Sequence, residues 1–131
     1  MFFMREEEHE KAFNEHRETI FEWGIEQRGI SNSQRVIGLN ASRGILELLS
    51  LYLHKKKLVL SGFQINHRWF KSNKIYEKIP DFEGKNEILE KLIRLENICE
   101  KISYGTSKSV EEIEEAIKLF NVLEDKIKKL L

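Results

Sequence analysis

The sequence predicts an all-α protein, an up-and-down four-helix bundle with one or two extra short helices between the second and third long helices. Three observations lead there. Apolar residues recur at three- and four-residue steps over four long stretches, no run alternates apolar and polar residues as a half-buried strand would, and short connections make neighbouring helices antiparallel. At 131 residues, 40% apolar and 34% charged, the chain is sized for one domain over residues 1–131 with a single core.

The first stripe is Phe2, His9, Phe13, His16, Ile20, Trp23 and Gln27, with Glu6, Glu7, Glu10, Glu18 and Glu22 largely on other faces; this long helix should stop near Gly29. Ser31 and Gln34, spaced as a capping box, open a second helix from about Gln34 to Lys56. Its apolar residues Val36, Ile37, Ile45, Leu46, Leu48, Leu49, Tyr52 and Leu53 cover a broad surface, which places it centrally. Gly38, Ala41, Ser42 and Gly44 cluster in its first half. Interior glycines cost about 1 kcal/mol each relative to alanine, so the cluster predicts a tight helix crossing.

From Lys57 to Gly84 the periodicity fails, around Ser61-Gly62 and Pro80. That is too long for a featureless loop, so one or two short helices are expected, and any localised function is expected here. Ile88, Leu92, Leu95, Cys99 and Ile102 then mark a third long helix closed by Gly105. Ser109 and Glu112 form a second capping box, followed by the stripe Ile113, Ala116, Ile117, Phe120, Leu123, Ile127 and Leu130.

Twenty-two basic residues balance 22 acidic ones, an ordinary globular composition that names no partner. The one cysteine, Cys99, offers neither an internal disulfide nor a cysteine-pair metal site, which suggests a cytoplasmic protein. The apolar start at Met1 gives way at once to Glu6-Glu7-Glu8, and no continuous apolar run nears the roughly 20 residues of a membrane span, so neither secretion nor a membrane is expected. Abundant Lys, Glu and Ile with one Pro is a balance that hyperthermophile proteins often show. Phosphate loops, dinucleotide fingerprints, His-Glu-x-x-His and nucleophile elbows are absent, so no catalytic residue, metal or cofactor is nominated.

Among isolated candidates, His9 and His16 lie two helical turns, about 10 Å, apart, too far to share a metal unaided; they read as packed or interface histidines. Asn40, Arg43, Glu47, Ser50 and His54 step by three or four along the second helix. We read them as a solvated face, the alternative being an inward polar groove in which Arg43 binds a phosphate or pairs with a neighbouring helix. Between residues 55 and 78, Lys55, Lys56, Lys57, Arg68, Lys71, Lys74 and Lys78 face only Glu77 and alternate with Phe63, His67, Trp69, Phe70 and Tyr76. Basic side chains with rings suit a single-stranded nucleic acid, phosphates taking the charge and bases stacking. The structural alternative is that Trp69 and Phe70 anchor the segment to the core. The candidate nucleic-acid or nucleotide-binding set is therefore Arg43, His67, Arg68, Trp69, Lys71 and Lys74. The acidic first helix would equally neutralise the basic segment, in the fold or across a dimer. Cys99 lies on an apolar stripe and should be packed and unreactive.

Leu92-Ile93-Arg94-Leu95-Glu96, Ile102-Ser103-Tyr104-Gly105 and Glu111 to Ala116 leading into Phe120 resemble the C-terminal half of HEPN-superfamily domains, where a helix ends in Tyr-Gly or a similar pair before a final helix with an internal Ala. Asn40-Ala41-Ser42-Arg43-Gly44-Ile45-Leu46 and His67-Arg68-Trp69-Phe70 lie where such domains carry small residues on the second helix and a His after it. The resemblance spans most of the chain after Ser33, in short pieces. It implies a homodimer formed through helices, in a superfamily of ribonucleases, toxins and partners of minimal nucleotidyltransferases. The Arg-x4-6-His pattern of the ribonuclease branch is absent, since none of His9, His16, His54 and His67 follows an Arg at that spacing. The expectation is a dimeric module for RNA, a nucleotide or a nucleotidyltransferase-like partner. The alternatives are a ribonuclease or toxin using His67 with Arg43 or Arg68, for which Arg43 and His67 would have to converge, and a purely structural dimerisation protein.

Overall fold

A computed structural model describes residues 6–131; Phe2, the first member of the apolar stripe, lies outside them. Helix α1 (Glu6–Glu18) runs on into a π-helical stretch, Thr19–Glu26, and a 3-10 turn, Ser31–Ser33, leads into α2 (Gln34–Lys55). A 3-10 turn (His67–Lys71) and the short α3 (Lys74–Lys78) precede α4 (Lys85–Ser103) and α5 (Val110–Leu130). Among the described residues there is no strand.

Cross-helix contacts fix the directions. His9 meets Glu47 and His16 meets Asn40, so α1 and α2 are antiparallel. Gln34 bonds to Ile102 O at one end of α4, and further along α2 Ser42 lies beside Cys99 and Glu96. Glu87 pairs with Lys126 and Lys101 with Glu112, so α4 and α5 are antiparallel too. The result is an up-and-down bundle of four long helices with α3 and its neighbouring turn between the second and third, as the periodicity predicts.

Helix α2 is the centre, touching α1, α4 and α5. By length and composition Ser31–Lys55 would pass for a membrane span, yet 67% of its most apolar window is buried inside the bundle, which makes it a core helix here. The glycines explain how three helices crowd it. A Cβ at Gly38 would lie 2.5 Å from Ser103 Oγ and 2.9 Å from Ile102 Cγ1, and one at Gly44 would lie 3.1 Å from the His16 Cβ. The predicted tight crossing is thus that of α2 with the end of α4.

Two local expectations need correction. Trp23 belongs to the predicted apolar stripe but is 59% exposed, while Ile20 and Gly24 are buried. A π turn takes up more residues than an α turn, so extrapolating at 3.6 residues per turn beyond Glu18 points to the wrong side chain. Ser31 and Gln34 do not form a capping box. Ser33 is the N-cap, its hydroxyl donating to Gly29 O at 2.7 Å, and the Gln34 amide donates to Ile102 O and accepts from Lys108 N, tying the start of α2 to the α4–α5 connection. The chain leaves Gly29 (φ +78°) straight into the 3-10 turn, so Ser31 sits within a turn rather than ahead of one. The box at α5 is half formed: Ser109 Oγ accepts from Glu112 N at 3.3 Å, while the Glu112 carboxylate pairs with Lys101.

The segment from 56 to 84 is anchored rather than loose. Phe70, Ile75 and Ile79 are buried in the core. The Lys85 ammonium donates to Tyr76 O (2.8 Å), Ile79 O (2.6 Å) and Asp81 Oδ1 (3.2 Å), closing the end of α3 against the start of α4. His54 Nε2 meets Phe63 O at 3.1 Å.

Gly38→Ala should therefore lower stability by about 1–3 kcal/mol through overpacking, although alanine is intrinsically the better helix former. Urea unfolding checks this; a midpoint at or above wild type would mean that the crossing relaxes around a methyl group.

Candidate functional site

Leu39, Arg43, Leu46, Glu47 and Ser50 occupy one stripe of α2, at steps of three and four, and this stripe faces a gap beside α4. From α4, Glu96, Cys99, Glu100 and Ser103 line the opposite wall, again at helical spacing. Gln64, Ile65, His67 and Lys71 close one side, and His9 and His16 of α1 complete the lining. The groove encloses about 460 Å³, within the range of small-ligand sites. Of the polar row on α2, Arg43, Glu47 and Ser50 thus line a groove, while Asn40 and His54 do not.

The α1 histidines are packed and bonded. Asn40 Nδ2 donates to Val36 O, so its Oδ1, 2.9 Å from His16 Nδ1, accepts from the ring. His9 is buried, with Nδ1 2.6 Å from Glu47 Oε2, and its Nε2 has no partner. The Glu47 carboxylate can only accept here, so His9 Nδ1 donates to it. The His9 ring stacks on His54, centroids 5.1 Å apart. Among the described residues no group of three or more His, Cys, Asp and Glu side chains could hold a metal ion.

The middle of the groove is where charge is unevenly settled. Burial raises the Glu96 carboxyl above the ordinary carboxylate range, against the opposing pull of the Ser42 hydroxyl, His67 and Arg43; Glu100, one turn on, adds to the rise. Next to it, burial pushes the Cys99 thiol up to about 11, which leaves it a neutral, packed group. Lys71 Nζ pairs with Glu100 Oε1 at 3.6 Å, both side chains exposed. Arg43 is exposed and makes no hydrogen bond or ion pair among the described residues.

Of the six candidate binding residues, the fold brings Arg43, His67 and Lys71 to one groove, and Arg43 and His67 both act on Glu96. Arg68 and Lys74 point to solvent away from it. Trp69 is half-buried with its ring against Phe63, centroids 6.1 Å apart, so the anchoring alternative describes it. Lys71 meets its carboxylate on α4 rather than on the acidic first helix. The sequence reading has Glu96 only as part of a motif and Glu100 not at all, although Glu96, Cys99, Glu100 and Ser103 form a polar and small-residue stripe beside the apolar one on α4 that could have disclosed them as a set.

Set against family models, curated proteins and solved structures, the chain matches none.

The raised Glu96 carboxyl has a signed consequence for stability. As pH rises, the unfolded chain loses this proton before the folded one does, so stability falls between the ordinary carboxylate range and the raised folded value, and the full cost persists above it. Glu96→Gln should match or exceed wild type in thermal stability at neutral and alkaline pH, with the advantage shrinking towards acid. Melts of both proteins across a pH series test this; wild-type stability that climbs relative to the variant as pH rises would mean that the charged carboxylate is the favoured form.

Proposed function

We propose that the protein is a HEPN-like dimeric module that binds single-stranded RNA or a nucleotide in the groove between α2 and α4. The observation that carries this is the state of the charges around Arg43. Arg43 lines the groove with no hydrogen bond or ion pair among the described residues, while Glu47 is bonded to His9 and Glu100 to Lys71, so the guanidinium donors stand open to an anion from outside. A phosphate supplies that anion, and a guanidinium fork suits it. His67 and Lys71 stand on the same groove to share the charge. The resemblance of the quoted motifs to HEPN domains supports the same reading, and a nucleotidyltransferase-like protein is the partner it suggests.

A second reading, a ribonuclease, is favoured by the convergence of Arg43 and His67 on Glu96. An imidazole can transfer a proton at a phosphodiester and a neighbouring guanidinium can offset charge building on the phosphorus oxygens.

One experiment separates the readings: binding and cleavage of a labelled single-stranded RNA over a salt series, for wild type, Arg43→Ala, and an Arg43→Ala, His67→Ala double variant. The module reading expects binding that weakens with salt, no cleavage, and a salt slope reduced by about 1 in Arg43→Ala. Cleavage abolished in the double variant would establish the ribonuclease instead. Binding indifferent to both salt and Arg43 would sink the groove assignment.

A further inference from the structure

Resting on that reading, we infer that Tyr104 and Leu39 form a base-stacking shelf at one end of the groove, taking the nucleobase attached to the phosphate held by Arg43. Tyr104 follows directly on the last residue of α4, in extended conformation, and its side chain is 68% exposed. It makes no hydrogen bond, ion pair or ring contact among the described residues. Leu39 on α2 is 47% exposed and lines the same groove. Two large apolar side chains left in water at one groove mouth are a recognisable binding feature.

Their position follows from the crossing. Because Gly38 carries no side chain, the end of α4 comes down onto α2 with Ser103 against residue 38, and the next residues on the two elements, Tyr104 and Leu39, both line the groove. Leu39 precedes Arg43 by four residues, about 6 Å along the helix axis and close to the same face. That is on the order of the separation between a phosphate and the base of one nucleotide. A strand with its phosphate on Arg43 therefore lays a base over the tyrosine ring, with Leu39 against the base edge. Stacking tolerates any base, because every base has a π face, so the shelf contributes affinity without selecting sequence.

The shelf and the phosphate site give different signatures, and the test uses both. Binding of a fluorescent oligoadenylate is measured over a salt series for wild type, Tyr104→Ala and Tyr104→Phe, alongside the same strand carrying abasic sites, with sedimentation of each protein. Tyr104→Ala should lose about tenfold in affinity with its salt slope unchanged, since no ion is involved, and Tyr104→Phe should retain wild-type affinity. The abasic strand should bind wild type more weakly and show no further loss with Tyr104→Ala. Intact wild-type binding with no loss in Tyr104→Ala overturns the shelf while leaving the phosphate site in place. A loss accompanied by a change from dimer to monomer overturns it too, making Tyr104 part of a contact between copies. A wild-type protein that binds neither strand removes the nucleic-acid reading itself, and the shelf with it.

Discussion

The closeness with which α2 and α4 approach at Gly38 governs the rest of the molecule. A residue with any side chain there would strike Ser103 Oγ and Ile102, so the two helices would have to separate or tilt. Their contact at this end and the turn at 67–71 at the other give the groove its walls. Ser103 is itself held, its hydroxyl donating to Cys99 O at 2.6 Å, so the surface that meets Gly38 is preset by α4 alone. Packed helices do not deform gradually, and a small change at such a contact is felt along both elements.

The groove is lined by residues that packing alone would not choose. A core helix could fill positions 42, 96 and 99 with aliphatic side chains; this chain has Ser42, Glu96 and Cys99 there. The carboxyl of Glu96 is set into surroundings that disfavour its charge, and the cation that would best relieve it, Arg43, stands close enough to act on it without forming an ion pair. Departures of this kind from what packing alone would choose concentrate at functional sites. Other polar groups are matched: Glu124, buried, receives both Arg17 and Lys128, and His16 and His54 each have a partner.

The helices were legible because each has to bury a stripe, and a stripe leaves a period in the chain. Residues 88 to 102 and 113 to 127 are found buried almost as the spacing requires, and the glycine cluster disclosed the tight crossing. The site was legible in part. Arg43, His67 and Lys71 stood out by residue type, but Glu96 looked like one more carboxylate on a charged helix, and Tyr104 like the end of a motif. What distinguishes Glu96 is proximity to Ser42 and Arg43 on another helix, which leaves no local period. Trp69 left both readings open, since an aromatic among lysines has the same composition whether it faces a ligand or the core.

The π-helical stretch at Thr19–Glu26 divides the first helix into two angular frames. His9, Phe13 and Ile20 face the bundle in the frame set by α1, while the chain beyond turns Gly24 inward towards Val36 and Ser33. A wide turn of this kind is one residue's worth of surplus absorbed within a continuous helix. For lineages of this sequence, a one-residue deletion in the regular part of the helix, between Glu10 and Glu18, is therefore not neutral trimming. It would rephase one half of the helix against the other by about 100°, forcing a choice between the His9–Glu47 bond at the groove and the seat of Gly24 on α2. A change of length that this helix tolerates should fall within the wide turn itself, where a surplus residue is already absorbed.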